Sequence, residues 1–317
     1  MTNRKLRAEA PPIERLVELS NDDVRLSIRP EKGCDISSLY ARRAQVEMLW
    51  CTPWGIQSPR GNSFTADSRT AWIQSSGGGW NLLLPNTGPA RNHNGAPFGF
   101  HGEAALVPWK VDGVTPTQAE FSVTLATAPL HVHRIIRLEN GTVFIDETIT
   151  NQSPDSTSFS WGHHPAFGHD FITEGTRILI PGAIVELDSQ FALNGSPGGT
   201  TGAWPDLGRT DLSVVPSDRE PRAILAYLSD LKEGSYQIFN DKIGLGVEVR
   251  WPINVFPYLW LWQELYGTSG FPWFRRTYAL ALEPQSIVPE SGEPPITLEG
   301  GESISVTVSA SVITLPP

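Results

Sequence analysis

The chain has 317 residues and a mass of 34.8 kDa, enough for two average domains or one large all-β unit. Its 24 Lys plus Arg against 34 Asp plus Glu give a formal net charge of −10, with no basic field for a phosphate backbone, which excludes nucleic acid as an expected partner. Met1–Ala10 carries early positive charge with no apolar stretch behind it, and nothing later is apolar for long enough to span a bilayer, so neither a secretory signal nor a membrane partner is expected. Cys34 and Cys51 are the only cysteines, both read as reduced, and the expected location is cytoplasmic.

The 29 glycines and 27 prolines punctuate the chain too densely for long helices and suit short strands joined by turns. Residues 1–20 read as an extension of a single domain spanning 1–317, with room for a short helix over Glu14–Leu19. Val24–Arg29 alternates apolar and polar residues, the mark of a half-buried strand. Gly77-Gly78-Gly79 is followed by no Lys-Ser/Thr and reads as a tight turn rather than a phosphate cradle. Phe121–Leu125 alternates again. His133–Leu138 and Thr142–Thr150 flank Glu139-Asn140-Gly141, which predicts a β-hairpin closed by a type I′ turn. Phe159–Trp161 leads to His163-His164-Pro165, where the strand is expected to end. Ser189–Asp218, rich in Gly, Pro, Ser and Thr, reads as a long surface excursion, and Arg222–Leu231 as a second possible short helix. Strands are expected at Ser235–Phe239, Gly246–Trp251, Tyr258–Gln263, Tyr278–Leu282 and Ile304–Ser309. Many antiparallel strands without intervening helices imply an all-β sandwich or barrel.

Three short polar motifs interrupt this pattern. Glu283 follows the apolar run Tyr278–Leu282 and precedes Pro284, so it is placed at a strand end, where a carboxylate in dry surroundings has its pKa raised toward neutrality and can act as a general base. The plainer use is an exposed strand-end glutamate or a partner of Arg275 or Arg276. His164 lies in an aromatic, apolar setting, and histidine is suited to giving or taking a proton near neutral pH. His163 and His164, as consecutive strand residues, point to opposite faces and cannot share one role. His101 follows a loop whose backbone is set by Gly and Pro. His131 and His133 share a strand face but lack a third ligand, and no CxxC or HExxH occurs, so no metal is expected. Trp260, Trp262, Trp273 and Phe274 can line a cleft for the C–H face of a sugar ring, although a tryptophan in a strand usually fills a core.

His101-Gly102, then His164-Pro165 with Phe167, then Leu282-Glu283-Pro284-Gln285, in that order, resemble the motifs of the aldose 1-epimerase family, the galactose mutarotases and their relatives. Asn151, Trp109 and Leu298-Glu299-Gly300-Gly301-Glu302 add to the resemblance, which runs from about Val24 onward. It implies a large antiparallel β-sandwich, the galactose mutarotase-like supersandwich, and an isomerase that interconverts α and β anomers of a monosaccharide. Glu283 is then the base, His164 the acid, and His101 the group that holds or polarises the ring oxygen or a neighbouring hydroxyl. Substrate contacts are implied at Asn86, Arg91, Glu103, Trp262 and Gln285. The family's substrate-binding aspartate has Asp170 and Asp241 as candidates. The chain departs from the family's pattern in Asn86-Thr87, where the typical members carry Asn-Arg, in His164-Pro165-Ala166-Phe167-Gly168, which lacks a Tyr and an Asn, and in Glu103, which replaces a second glycine. The expected partner is a small sugar, no cofactor is expected, and the chain is expected as a monomer or homodimer. The alternatives are a non-catalytic carbohydrate-binding protein, an epimerase of a phosphorylated or otherwise modified sugar, and a lyase or hydrolase using Glu103 with Glu283.

Overall fold

The computed structural model describes residues 16–55, 67–289 and 292–314. From the N-terminal side the chain forms β1 (Val17–Ser20), β2 (Val24–Arg29), β3 (Asp35–Ala41), β4 (Val46–Glu47), the helix α1 (Ser68–Ser75), β5 (Trp80–Leu83), β6 (Arg91–His93) and β7 (Ala96–Phe98). There follow β8 (Lys110–Val114), β9 (Gln118–Thr124), β10 (Leu130–Glu139), β11 (Thr142–Asn151), β12 (Thr157–Phe159), β13 (Gly162–Gly168), β14 (Arg177–Leu179) and β15 (Ile184–Leu187). Three short strands, β16 (Thr201–Ala203), β17 (Asp206–Leu207) and β18 (Thr210–Asp211), interrupt the excursion. The rest comprises β19 (Arg222–Ser229), β20 (Ser235–Asn240), β21 (Leu245–Arg250), β22 (Tyr258–Leu265), β23 (Tyr278–Gln285), β24 (Ile296–Leu298) and β25 (Ser303–Thr314).

Alternation decides how these strands assemble. β10 and β11 bury every second residue, as do β19 and the first half of β2, so each presents one apolar stripe. Two antiparallel sheets use those stripes against each other. An 11-stranded sheet runs β1-β2-β3-β5-β13-β23-β22-β19-β15-β16, with β4 on β3, and an 8-stranded sheet runs β14-β20-β21-β25-β11-β10-β9-β8. Leu26, Ile36 and Leu280 of the first meet Val132, Ile145 and Val308 of the second in one continuous core. At the centre of that core Arg134 and Glu147 form a fully buried ion pair at 2.6 Å, and Glu147 also lies 3.3 Å from His163 Nε2. Burial alone would raise Glu147, but Arg134 and His163 bring it down to about 2.

Several local expectations need correction. Val17–Ser20 is an edge strand paired with β2, so it is not helical; Glu14 and Arg15 lie outside the described residues. Arg222–Leu231 is the strand β19, whose alternating burial overrides any helical preference. The hairpin forms with Glu139 opposite Thr142, but only Asn140 has positive φ (52°), as at the first central position of a type II′ turn, not both residues as type I′ requires. The unforeseen helix α1 is two turns long, capped by Asp67, and buries Trp72 and Ile73. Among the described residues, no helix is long and apolar enough to cross a membrane.

Candidate active site

β13 and β23 are neighbours in the middle of the large sheet, and each carries a proline inside the strand. Proline has no N–H to donate, so it disturbs a central ladder. Gly162 pairs with Gln285 and Ala166 with Ala281, whereas the three positions between them are unpaired, and these contain Pro165 and Pro284. Both strands continue past the prolines, which corrects the expectation that they end at His164 and Glu283. Across this gap His164 and Glu283 stand opposite each other, with Nε2 3.3 Å from Oε1. His163 faces the core, where its Nδ1 accepts from Trp80 Nε1 at 3.2 Å, so His164 faces away from the second sheet.

The His164–Glu283 pair is dry. Glu283 is 2 % exposed and His164 9 %. Burial pushes Glu283 up to about 8, opposed by Gln285, whose Nε2 donates to Oε2 at 3.0 Å. Burial pushes His164 down to about 4. The resting site therefore holds a neutral carboxylic acid against a neutral imidazole, one mobile proton between two groups. Gln285 can lie there because residue 162 is glycine: a Cβ at Gly162 would stand 1.7 Å from Gln285 Oε1.

His101 arrives from a different part of the chain. It has φ 59° and is followed by Gly102 at φ 73°, a turn that brings Gly102 so close to Leu84 that a Cβ would lie 2.2 Å from the Leu84 carbonyl oxygen. The His101 N–H donates to the Gly88 carbonyl and the Gly88 N–H donates to His101 Nδ1, both at 3.0 Å. Burial and the neighbouring His164 and Arg69 hold His101 well below the usual histidine range, so the ring is neutral. With Nδ1 accepting, its proton sits on Nε2, and His101 is a fixed hydrogen-bond donor. The His101 and His164 rings are 5.9 Å apart.

Aromatic rings wall this basin. Trp72 stands 4.7 Å from His101 and 6.1 Å from His164, and Trp262 stands 6.1 Å from His164 on the other side. Trp50 and Trp273 extend the wall from Trp262, and Trp54 stacks on Trp273 at 5.6 Å. The sequence reading missed Trp50, Trp54 and Trp72, since nothing in their local sequence distinguishes a wall from a core. Trp260 stands opposite Glu283 but is 3 % exposed, with Nε1 donating to the Ile287 carbonyl; Phe274 points to solvent.

The remaining expected contacts scatter. Asn86 is buried and donates to the Pro89 and Gly99 carbonyls, tying together the loop that carries His101. Arg91, at the start of β6, donates to the Gly292 carbonyl ahead of β24. Glu103 departs from the expected place by the cleft: its carboxylate accepts from the backbone N–H of Ala126 and, at 3.0 Å, of Thr127, in the turn between β9 and β10. Asp241 pairs with Arg177 at the edge of the second sheet, and Asp170 is exposed. His131 bonds to Thr124, and His133 faces Glu120 at 4.0 Å. Among the described residues no three His, Cys, Asp or Glu side chains cluster as a metal site.

The fold is a galactose mutarotase-like β-sandwich. Three solved structures share it: the Slr1438 protein from Synechocystis sp. PCC 6803 (20 % identity, TM-score 0.73, 99 % of this chain and 100 % of that one), a galactose mutarotase-like protein from Lactobacillus casei (17 %, 0.67, 94 % and 100 %) and the GalM/aldose epimerase homologue from C. elegans (13 %, 0.68, 95 % and 99 %). At these identities the likeness is one of fold. No curated protein matches in sequence. Residues 14–295 match the family described as Domain of unknown function (DUF4432), and the chain belongs to that family.

Proposed function

We propose that this protein is an isomerase of the aldose 1-epimerase type, interconverting the α and β anomers of a free monosaccharide in the cytoplasm. The observation that carries the reading is the His164–Glu283 contact at 3.3 Å, holding one proton in a dry, aromatic-walled basin beside a fixed donor on His101. Anomer exchange needs one group to take a proton while another gives one. In the reaction Glu283, as carboxylate, takes the proton from the anomeric hydroxyl. Protonated His164 delivers a proton to the ring oxygen, the C1–O5 bond breaks, and an aldehyde results. Rotation about C1–C2 turns the other carbonyl face to O5, and the reverse transfers close the ring. Substrate and product have the same oxidation state, so the cycle returns every proton and uses no cofactor. At rest the proton sits on Glu283, and its passage across 3.3 Å to His164 generates the reactive ion pair. The His101 Nε2–H steadies the ring oxygen as the bond breaks. Trp262 and Trp72 offer their faces to the C–H side of the ring.

The test is the relaxation of freshly dissolved α-anomers of a panel of aldoses, followed by polarimetry or NMR, with wild type and Glu283→Gln side by side. Acceleration by wild type that is lost in Glu283→Gln supports the isomerase and its base. No acceleration of any sugar, with sugar-dependent quenching of tryptophan fluorescence, turns the reading to a binding protein.

A further inference from the structure

The excursion between β15 and β19 takes no part in the isomerase reading, yet it carries Trp204-Pro205 in the turn between β16 and β17. Facing it is β14, the edge of the 8-stranded sheet, which pairs with β20 as far as Leu179 opposite Gln237. Carried on in the same register, Pro181 would face Ser235, and proline has no N–H to offer a ladder. The chain leaves the sheet there, and a cleft of about 480 Å³ opens between the vacated edge of β20 and the excursion. Small-molecule sites occupy about 300–1,000 Å³. The cleft shares no residue with the basin of His101, His164 and Glu283.

Its two walls differ in character. Gln237 stands opposite Glu248, and Arg250 lies in the next row, opposite Ser235. All three turn outward, because the alternate residues Tyr236, Ile238 and Val249 are fully buried in the core. Glu248 holds this polar wall together, accepting from Gln237 Nε2 at 2.8 Å and from Arg250 Nε and Nη2 at 2.9 and 2.8 Å. Donor capacity is left over on Arg250 Nη1 and acceptor capacity on the Gln237 amide oxygen, neither of which has a partner among the described residues. The other wall is apolar, with half-buried Trp204 beside Pro181 and Pro205, and with Leu179 43 % exposed. Trp204 is anchored by its backbone N–H, which donates to the Ala183 carbonyl at 3.0 Å.

This contrast selects the ligand. Glu233 and Glu248 in the lining disfavour an anion. A wholly apolar ligand would take the Glu248–Arg250 pair out of water and return no hydrogen bond. A pyranose has C–H groups on its faces and, on its rim, hydroxyls that both donate and accept, so it answers both walls at once. We propose that the cleft is a second carbohydrate site, in which Trp204 packs on the C–H face of a sugar ring while Gln237 and Arg250 bond its hydroxyls. No histidine lines it, and it offers no acid–base pair like His164–Glu283, so it holds a sugar without opening the ring.

Fluorine NMR of the full chain labelled with fluorotryptophan, with Trp204 and Trp262 assigned through Trp204→Phe and Trp262→Phe, reads the cleft and the basin separately. The probes are the methyl glycosides of glucose, galactose, mannose and xylose, which have no free anomeric hydroxyl and so cannot mutarotate. At least one is expected to move the Trp204 signal saturably. Arg250→Ala is expected to weaken that binding about 10-fold, the scale of one hydrogen bond from a charged donor, and Gln237→Ala by a smaller factor. Both side chains lie on the outer face of the sheet, so both variants leave the core as it is. Cyclohexanol, a ring of similar size with a single hydroxyl, is expected to leave the signal in place. A Trp204 signal that no glycoside moves, that cyclohexanol moves equally, or that responds with wild-type affinity in both variants overturns the proposal. Movement of the Trp262 signal alone assigns the binding to the basin and overturns it as well. Faster anomer exchange with a silent Trp204 removes this site and leaves the isomerase, whereas a responsive Trp204 without anomer exchange does the reverse.

Discussion

Gly162→Ala tests the site through a residue that touches no substrate. Gly162 is not among the residues with positive φ, so its backbone accepts alanine. The new methyl carbon would lie 1.7 Å from Gln285 Oε1 and 2.4 Å from its Cδ. To reach ordinary contact the amide must swing by about 2 Å, which breaks its 3.0 Å hydrogen bond to Glu283. A hydrogen bond to a charged partner contributes about 1.5–3 kcal/mol. At about 1.4 kcal/mol per pKa unit, its loss raises Glu283 by about 1–2 units above its present value of about 8. The singly protonated His164–Glu283 pair exists between about 4 and about 8, so kcat/KM is expected to follow a bell between those limits. In Gly162→Ala the alkaline limb moves up by about 1–2 units. The plateau falls about 10- to 100-fold, because the ionised carboxylate loses the same stabilisation. Polarimetric relaxation rates of a fresh α-anomer across pH measure both. A limb and plateau identical to wild type would refute the role assigned to Gln285.

Glu283→Gln also has a signature in stability. The folded pKa of Glu283 is raised, so its contribution is present below the usual 4.5 and is lost as pH rises toward about 8. The Tm of Glu283→Gln is therefore expected to gain on wild type as pH climbs through that window, and a constant difference argues against a buried, protonated Glu283. Glu147 behaves oppositely: its folded pKa is depressed to about 2, so its contribution, roughly 3 kcal/mol, is present above 4.5 and is lost as pH falls toward 2. Glu147→Gln should flatten that part of the acid-unfolding curve while lowering stability at neutral pH by about 3–5 kcal/mol, since Arg134 is left buried and unpaired; denaturant titrations at several pH values check both. Gly102→Ala forces a side chain into φ 73° against the Leu84 carbonyl, expected to cost about 1–3 kcal/mol and to displace His101. An unchanged Tm and rate in that variant would show that the turn is not held as described.

The alternating runs were legible because a half-buried strand prints its burial directly onto the chain: Val24–Arg29 matches β2 residue for residue. The same rule separated His163 from His164, because the period of two holds wherever a strand lies in a sheet. It failed where tertiary contacts outweigh local preference. Arg222–Ser229 is a strand because β15 and β22 flank it, and Pro165 and Pro284 sit inside central strands because the ladder opens around both. Glu103 was misplaced because a loop carboxylate goes where unpaired backbone N–H groups await it, in a turn about 23 residues further along the chain.

By itself, then, the sequence determined the sandwich class and the order of His101, His164 and Glu283, since turn residues, period and motif order are local properties. The tertiary structure alone decided what those residues are. Only sheet register sets Asn81, His164 and Glu283 side by side, and only burial moves Glu283 and His164 apart in pKa so that they share one proton. Trp50, Trp72 and Trp262 come from three distant segments, and they become walls of one basin because the strands and helix that carry them meet over the same face of the sheet.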